Sequence, residues 1–358
     1  MSQESEVKKL KLSVTCSPHV YEADSVARIM WEVNLALVPA LAVSFWVFGI
    51  RALVVIIASI LGAVVAEAII QGIFLRKKIS ISDGSAVLTG LLLAFCVPAA
   101  LPAWIAFIGG FVAILFGKQV FGGIGNNIFN PAHVARAILL ASWPAYMTTW
   151  LKPCVNAASC GSLDGLTAAT PLGFYKETMF NSALVEKLTA SGTSVLDYVY
   201  SELHLSGFDM LLGKMGGSLG ETGKIALLIG AAFLFYRKHI TWQAPVAMIS
   251  AVFFGALISS GNLSFAFFHL FSGGLIIGAF FMTTDMVTAP VTSTGRLIFG
   301  LCCGAITLLI RLKGGYPEGV CYSILIMNAF VPLIDRFTFP TKFGFLPEKP
   351  KAVAEVTK

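Results

Sequence analysis

The segment 163–177 reads LDGLTAATPLGFYKE and holds two threonines three residues apart, Thr167 and Thr170. The neighbours of Thr170 are small, and Pro171 favours an extended backbone at the residue before it. A hydroxyl presented in this way is accessible as a nucleophile to a modifying enzyme. The local chemistry alone, however, fits an ordinary turn better than a modification site.

A second chemically distinctive group is Asp285, which lies at the end of an apolar stretch in FFMTTDMVTAPVTSTGR, residues 280–296. An ionisable side chain at membrane depth is costly and usually serves ions or protons. The surrounding threonine hydroxyls and the carboxylate suit a hard cation such as Na⁺. Asp285 is therefore a candidate for Na⁺ or H⁺ coupling, and a solvated helix cap is the alternative. Glu67 is a second candidate, which could instead form an ion pair between helices.

The segment 121–133, FGGIGNNIFNPAH, combines flexible glycines with amide side chains. Gly122 and Gly123 would let the backbone approach a flat ligand closely, and Asn126 and Asn127 offer both donors and acceptors. Irregular backbone at membrane depth persists only against protein or a cavity. These four residues are therefore a candidate cofactor site, and a tight turn before the next helix is the alternative.

The composition determines the class of protein that must position these groups. The chain has 358 residues, of which 56% are hydrophobic and 12% charged, with a mean hydropathy of +0.81. Soluble domains carry about 25% charged residues. Several apolar runs approach the length of roughly 20 residues that a helix needs to cross a bilayer. We therefore predict an all-α polytopic membrane protein. Nucleic acid is not expected as a partner, because no Lys/Arg cluster is interleaved with aromatic residues.

Ten spans are predicted, with one long polar interval between the fifth and the sixth. The spans fall roughly at 29–49, 51–72, 83–99, 102–121, 131–150, 222–237, 241–260, 264–282, 295–313 and 317–335. The corresponding regions are an N-terminal tail at 1–28, a first membrane half at 29–150, an outer loop at 151–221, a second membrane half at 222–336 and a C-terminal tail at 337–358.

The distribution of positive charge predicts the orientation of these spans. With ten spans, most Lys/Arg clusters fall on one side, which the positive-inside rule assigns to the cytoplasm. Both termini would then be cytoplasmic, and the loop 151–221 would face outwards. Arg311 and Lys313 are exceptions, since they fall on the outer side, so a nine-span count stays open.

A weak internal repeat is also visible, because Ile81 and Ile240, like Pro131 and Pro290, open similar segments 159 residues apart. Interrupted helices in matching halves of a transporter indicate a site near the membrane midplane. The seven cysteines contain no CxxC pattern, so the chain alone is not expected to hold an iron–sulfur cluster. Cys154 and Cys160 share the outer loop and could be either bridged or reduced.

Four motifs, in this order along the chain, resemble the RnfD proteins of the Rnf electron-transport complexes, a family related to the NqrB proteins of the sodium-translocating NADH:quinone oxidoreductase. They are SPH at 17–19, GGIGNNIFNPA at 122–132, DGLTAATPL at 164–172 and FFMTTDMVTAP at 280–290. The resemblance extends over nearly the whole chain. Two departures leave the key residues in place. Thr167-Ala168 stands where the family often has Ser-Gly, and the proline that usually follows the aspartate at Asp285 is absent.

The resemblance implies a flavoprotein. FMN would be esterified through its phosphate to Thr170 by a flavin transferase, with Asp164, Gly165 and Thr167 completing the attachment motif. A second, non-covalent flavin, with riboflavin as the candidate, would lie near Asn126 and Asn127. The chain would have no catalytic residue of its own.

The implied function is that of a membrane redox component of an ion-translocating ferredoxin:NAD⁺ oxidoreductase. It would pass electrons between neighbouring proteins of the complex, coupled to Na⁺ or H⁺ transport, in the bacterial inner membrane. Its partners would be RnfA, RnfB, RnfC, RnfE and RnfG, the flavin transferase and membrane lipid. Two alternatives stay open: an NqrB-like component of the quinone oxidoreductase, and a flavin-free channel or transporter of small solutes, since fold does not fix function.

Overall fold

The structure is a computed structural model that describes residues 24–76, 80–153, 169–203, 206–213 and 215–340. Within these ranges the chain is helical and forms no β-strand, and an antiparallel bridge joins Pro98 to Ser218. Several sequence predictions lie outside the described residues. They are the SPH motif, the tail residues 1–23 and 341–358, the possible pair Cys154 and Cys160, and the attachment residues Asp164, Gly165 and Thr167.

The helices fall into three groups along the chain. The first group is α1 (Val26–Phe48), α2 (Ile50–Ile69, continued by a π-turn at Ile70–Phe74), α3 (Ser85–Phe95), α4 (Ala103–Ile114, continued by a π-turn at Leu115–Gln119), α5 (Pro131–Ser142) and α6 (Pro144–Met147). The second is α7 (Pro171–Phe180), α8 (Ser182–Ala190), α9 (Val195–Glu202) and α10 (Gly207–Leu212). The third is α11 (Lys224–Tyr236), α12 (Gln243–Ser260), α13 (Leu263–Phe271), α14 (Leu275–Ile277, continued by a π-turn at Gly278–Met282), α15 (Ser293–Lys313) and α16 (Val320–Thr338).

In the part of the chain that the structure describes, five helices are long and apolar enough to cross a membrane, namely α1, α2 with its π-turn, α12, α15 and α16. The consecutive helices α13 and α14 are bent by 69° and make a sixth span if they are counted together. A helical membrane protein is thus confirmed, whereas ten spans are not. The reason is that α3, with 11 residues, is only about 16 Å long, roughly half of the hydrocarbon thickness.

The helix packing indicates a repeat with a different correspondence from the spacing of 159 residues. The two most extensive helix contacts are α2 with α4 and α12 with α15. In addition α4 packs on α5 as α15 packs on α16, and the first helices of the two halves, α1 and α11, contact each other. The packing therefore matches α1, α2, α4 and α5 with α11, α12, α15 and α16. A spacing of 159 residues would instead match the short α3 with α12.

Close backbone contacts hold the two main helix pairs together. A Cβ atom added to Gly110 on α4 would lie 2.0 Å from the carbonyl oxygen of Ser59 on α2. In the other half, a Cβ added to Gly300 on α15 would lie 2.4 Å from the carbonyl oxygen of Ala244 on α12. Small residues at such crossings allow the dispersion contacts that drive helix association in membranes.

The bend between α13 and α14 explains the unusual position of Arg311. Its guanidinium donates to the carbonyl oxygens of His269, at 2.5 Å, and Ser272, at 3.0 Å. The helix break leaves these carbonyls without a partner further along the helix, and unsatisfied backbone groups are costly at membrane depth. Arg311 is 3% exposed. Its charge is therefore a buried structural contact, and it carries little information about which side of the membrane faces the cytoplasm.

Candidate functional site

One cavity lies between α1, α3, the start of α5, the end of α11 and the segment 281–287; its empty volume exceeds that of the cavity beside Thr170, and we call it the large cavity. Its empty volume, which includes space open to solvent, is about 850 Å³. The wall is mostly apolar, with residues Ile29, Met30, Val33, Leu88, Leu92, Leu234, Ile240 and Phe281. A flat aromatic ligand with few polar groups would suit such a wall.

Only one of the four residues predicted to contact a flat ligand lines the large cavity. Asn127 does so and is 8% exposed, whereas Gly122, Gly123 and Asn126 lie in the same loop outside the cavity wall. Gly122 and Gly123 have φ values of 112° and 103°, so their flexibility serves the turn itself. Asn130 also lines the cavity, and its Oδ1 accepts from the amide of Ala132 at the start of α5.

A buried lysine contributes a positive charge to the wall of the large cavity. Lys118, in the π-turn after α4, donates from Nζ to Glu67 Oε1 and to Ser85 Oγ, both at 2.6 Å. Gln71 and Gln119 also donate to Glu67 Oε1. Glu67 therefore pairs within the bundle, which was one of the two roles considered for it. The sequence analysis missed Lys118, although an ionisable residue inside a predicted span is a functional candidate by default.

Asp285 lies between the large cavity and an adjacent cleft lined by Lys238, His239, Thr241, Pro290 and Arg296. Its Oδ2 accepts from Thr288 Oγ1 at 2.9 Å. The hydroxyls of Thr283 and Thr284 instead donate to helix carbonyls, each at 2.7 Å. Most of the neighbouring threonines are thus engaged elsewhere. Among the described residues, no group of three or more His, Cys, Asp or Glu side chains could hold a metal ion.

Thr170 begins α7 and faces a second cavity. The residue is the N-cap of the helix, and its Oγ1 accepts from the amide of Gly173 at 3.0 Å. It is 8% exposed and lines a cavity with an empty volume of about 540 Å³, which we call the Thr170 cavity. The N-terminus of a helix favours an anionic group such as a phosphate. The turn expected from local chemistry is therefore a helix cap beside a cavity.

The Thr170 cavity has a partly aromatic wall and three charged side chains. The apolar and aromatic residues are Leu140, Met147, Trp150, Leu172 and Tyr316. The charged residues are Arg136, Glu221 and Glu318. Arg136 Nη2 lies 2.5 Å from Glu318 Oε2, and Glu318 Oε1 accepts from the amide of Gly274. The pair joins α5 to the break between α13 and α14.

Two titratable side chains, Glu221 in the cavity wall and Lys176 on α7, have shifted pKa values. Burial, followed by the negative charge of Glu318, raises the pKa of Glu221 to about 7. The carboxylate of Glu221 accepts from the amide and hydroxyl of Ser218. Burial lowers the pKa of Lys176, whose Nζ donates to the carbonyls of Ile310 and Tyr316. Lys176 thereby holds α7 against the end of α15.

Sequence reasoning missed Arg136 and Glu318, although a signal was present for the first. Arg136 is an ionisable residue within the predicted span 131–150, and such residues are functional candidates by default. Glu318 lies at the second position of the predicted span 317–335, where an acidic residue at a span end is a weaker signal, and in the structure it lies in the linker before α16. The two residues are far apart in the sequence, and only the fold brings them together.

Comparison with known proteins places these features in a family. Residues 13–344 match the family model described as NQR2, RnfD, RnfE family. The chain is 48% identical over 353 residues to the D component of the proton-translocating ferredoxin:NAD(+) oxidoreductase complex of Clostridium ljungdahlii, which covers 95% of this chain and 98% of that one. It is 41% identical over 347 residues to the D component of the Na(+)-translocating ferredoxin:NAD(+) oxidoreductase complex of Acetobacterium woodii, covering 97% and 99%.

A third relative is the D component of the ion-translocating oxidoreductase complex of Stutzerimonas stutzeri, with 39% identity over 341 residues, covering 89% of this chain and 92% of that one. The matched region spans both membrane halves and every residue that lines the two cavities. The resemblance inferred from four motifs is thus confirmed over nearly the full length. The chain belongs to the NQR2, RnfD, RnfE family.

Proposed function

We propose that this chain is the RnfD membrane component of an ion-translocating ferredoxin:NAD⁺ oxidoreductase complex, with the other Rnf proteins as its partners. The observation that carries this proposal is the near full-length similarity to components of such complexes. The chain takes part in an oxidoreductase reaction that the whole complex completes. Its own contribution is to hold redox groups in the membrane and to pass electrons between its neighbours.

The first such group is FMN, attached through its phosphate to Thr170. Thr170 fits this role because it caps the N-terminus of α7, where an anionic ester is favoured, and because it lines a cavity. When bound, FMN supplies one- and two-electron chemistry, while the protein supplies position and electrostatics. The flavin transferase would recognise the preceding segment with Asp164, Gly165 and Thr167.

The second group is a non-covalent flavin, with riboflavin as the candidate, in the large cavity. The mostly apolar wall of the cavity, with a few polar side chains, supports this assignment. The amides of Asn127 and Asn130 would orient the polar edge of the ring, and Lys118 would contribute a positive charge. Gly122, Gly123 and Asn126 would shape the loop that carries Asn127.

Asp285 is the proposed ion-coupling residue. Its carboxylate lies at the boundary between the large cavity and the adjacent cleft, so a cation entering by the cleft would meet it next to the flavin site. One relative is named as proton-translocating and another as Na⁺-translocating. The same residue could serve either ion, because a carboxylate can bind Na⁺ or take up a proton.

The proposed placement is the bacterial inner membrane, with both termini cytoplasmic and the segment 151–221 outside. We propose that the short helices α3, α4 and α11 and the bent pair α13 and α14 also enter the membrane, the short ones as half-helices. Broken helices of this kind line the central sites of many transporters. The large cavity would then lie towards the cytoplasm and the Thr170 cavity towards the outer surface.

The test of the flavin assignment is a denaturing gel of protein co-expressed with a flavin transferase. We expect flavin fluorescence in the band of the wild-type chain and its loss in Thr170→Ala. The matched control is Thr178→Ala on the same helix, where the hydroxyl donates only to the carbonyl of Phe174. Fluorescence that persists in Thr170→Ala would contradict the attachment site. Electron transfer from reduced ferredoxin to NAD⁺, compared with transfer from NADH to quinone, would distinguish the two branches of the family.

A further inference from the structure

Arg136 presents a fixed positive charge to the Thr170 cavity. Its side chain and that of Glu318 are each 13% exposed, so water screens the pair only weakly. Arg136 lies on the part of α5 that faces Thr170 across the cavity, together with Leu140 one turn later. The guanidinium is planar and fully charged at physiological pH, which suits it to contact an electron-rich aromatic ring.

Glu318 fixes the position of Arg136, and its carboxylate also accepts a hydrogen bond from a second donor. One carboxylate oxygen accepts from Arg136, and the other accepts from the amide of Gly274 at the start of α14. Arg311 also lies close, because a Cβ added to Gly273 would be 3.0 Å from Arg311 Nη2 and 3.2 Å from Glu318 Oε1. One carboxylate therefore accepts from a guanidinium and a backbone amide, and the guanidinium of Arg311 lies nearby, donating to backbone carbonyls.

Two guanidinium groups, Arg136 and Arg311, lie near the single carboxylate of Glu318, and the other charged groups around the cavity do not cancel this positive charge. Glu221 lines the cavity, and burial together with the charge of Glu318 raises the pKa of its carboxyl, which favours the neutral form. Lys224 and Lys176 direct their ammonium groups to backbone carbonyls. The cavity beside Thr170 is thus a low-dielectric site that favours a ligand able to accept negative charge.

We infer that Arg136, oriented by Glu318, is the residue that positions the ring of the flavin attached to Thr170 and raises its reduction potential. This inference rests on the flavin attachment proposed above and assigns the residues that tune that flavin. The electron comes from the neighbouring redox proteins of the complex and adds one negative charge to the site. A fixed guanidinium stabilises the charged form, and a nearby carboxylate opposes it.

The two members of the pair therefore make opposite predictions. Removing the positive charge in Arg136→Gln should shift the midpoint potential of the covalent flavin downwards. Removing the negative charge in Glu318→Gln should shift it upwards. Arg136→Lys keeps the charge and should stay closer to the wild type. If the pair had a purely structural role, the midpoint potential would shift in the same direction in Arg136→Gln and Glu318→Gln, because either change breaks the same contact.

The experiment is a redox titration of purified, flavin-loaded chains followed by flavin absorbance, with covalent loading measured by fluorescence in a denaturing gel. Arg28→Gln is the matched control, since its ion pairs with Asp24 and Glu32 lie at the start of α1, away from this cavity. Opposite shifts in Arg136→Gln and Glu318→Gln, with no shift in Arg28→Gln, support the inference.

Equal potentials in loaded wild type, Arg136→Gln and Glu318→Gln would overturn the inference and leave the attachment to Thr170 intact. Parallel shifts in the two variants would also overturn it. A wild-type chain that carries no covalent flavin after co-expression with the flavin transferase would instead refute the attachment itself. If Arg136→Gln fails to fold or to bind flavin covalently, the midpoint potentials of Arg136→Lys and Glu318→Gln are compared instead. The inference then requires an upward shift in Glu318→Gln and a potential close to that of the wild type in Arg136→Lys.

Discussion

Lys118 Nζ lies 2.6 Å from Glu67 Oε1, and the two residues are 3% and 0% exposed. The pair links the π-turn after α4 to the last turns of α2, at the edge of the large cavity. The amides of Gln71 and Gln119 donate to the same oxygen. Glu67 is thus held by three donors, and the lysine reaches the cavity wall only because the carboxylate compensates its charge.

Breaking this pair should destabilise the protein strongly. Lys118→Met leaves a buried carboxylate without its cation, which typically costs about 3–5 kcal/mol. The double variant Glu67→Gln/Lys118→Met removes both charges and should recover much of the loss. Thermal unfolding of the purified protein in detergent measures both effects. Arg28→Gln, in an exposed pair, is the control, and a Lys118→Met protein as stable as that control would contradict the argument.

Much of the fold was predictable from the sequence because hydropathy reports which segments enter the membrane. The positions of α1, α2, α12, α15 and α16 follow directly from apolar runs of sufficient length. Hydropathy does not report where a helix stops within the membrane. The end of α3 at Phe95 and the 69° bend after Phe271 were therefore missed, although Pro98 and the pair Gly273 and Gly274 are helix-breaking residues just beyond them.

The candidate sites were predictable only where a motif is local. Thr170, Asn127 and Asp285 lie in short polar segments that stand out from an apolar background. The cavity wall around Thr170 instead combines residues from α5, the linker after α15 and the break before α14. Arg136 and Glu318 are 182 positions apart, and a single sequence carries no signal for a contact of that kind.

The buried carboxyl of Glu221 should make stability depend on pH. Its pKa is raised to about 7 in the folded protein, chiefly by burial, so the folded state binds the proton more tightly than the unfolded chain. This contribution to stability is complete below the ordinary carboxyl pKa and is lost as the pH rises through about 7. Glu221→Gln mimics the protonated form and should not show the loss.

The measurement is the melting temperature of wild type and Glu221→Gln across a pH series. The two proteins should agree at low pH, and the variant should be the more stable one above neutral pH. Exposed Glu177, replaced by glutamine, serves as the control. Parallel curves for wild type and Glu221→Gln would show that the carboxyl titrates normally.

Binding of the second flavin should depend on Asn127 and not on its neighbour. Asn127→Leu removes a buried amide from the wall of the large cavity, and the loss of one such hydrogen-bonding group weakens binding roughly tenfold. Asn126→Leu changes an exposed residue of the same loop and is the matched control. The measurement is the amount of flavin that each purified chain releases on denaturation. Equal release from both variants would exclude Asn127 as a ligand.

Replacing the carboxyl of Asp285 should uncouple electron transfer from ion transport. In Asp285→Asn the residue keeps its shape and can still hydrogen bond to Thr288, but it can no longer carry a charge or exchange a proton. We expect the complex in vesicles to continue transferring electrons from reduced ferredoxin to NAD⁺ while Na⁺ or H⁺ uptake per electron falls. The exposed Asp197, replaced by asparagine, controls for the loss of an acidic residue elsewhere. Unchanged ion uptake per electron in Asp285→Asn would exclude the carboxylate from coupling, because its position beside the large cavity would then serve packing alone.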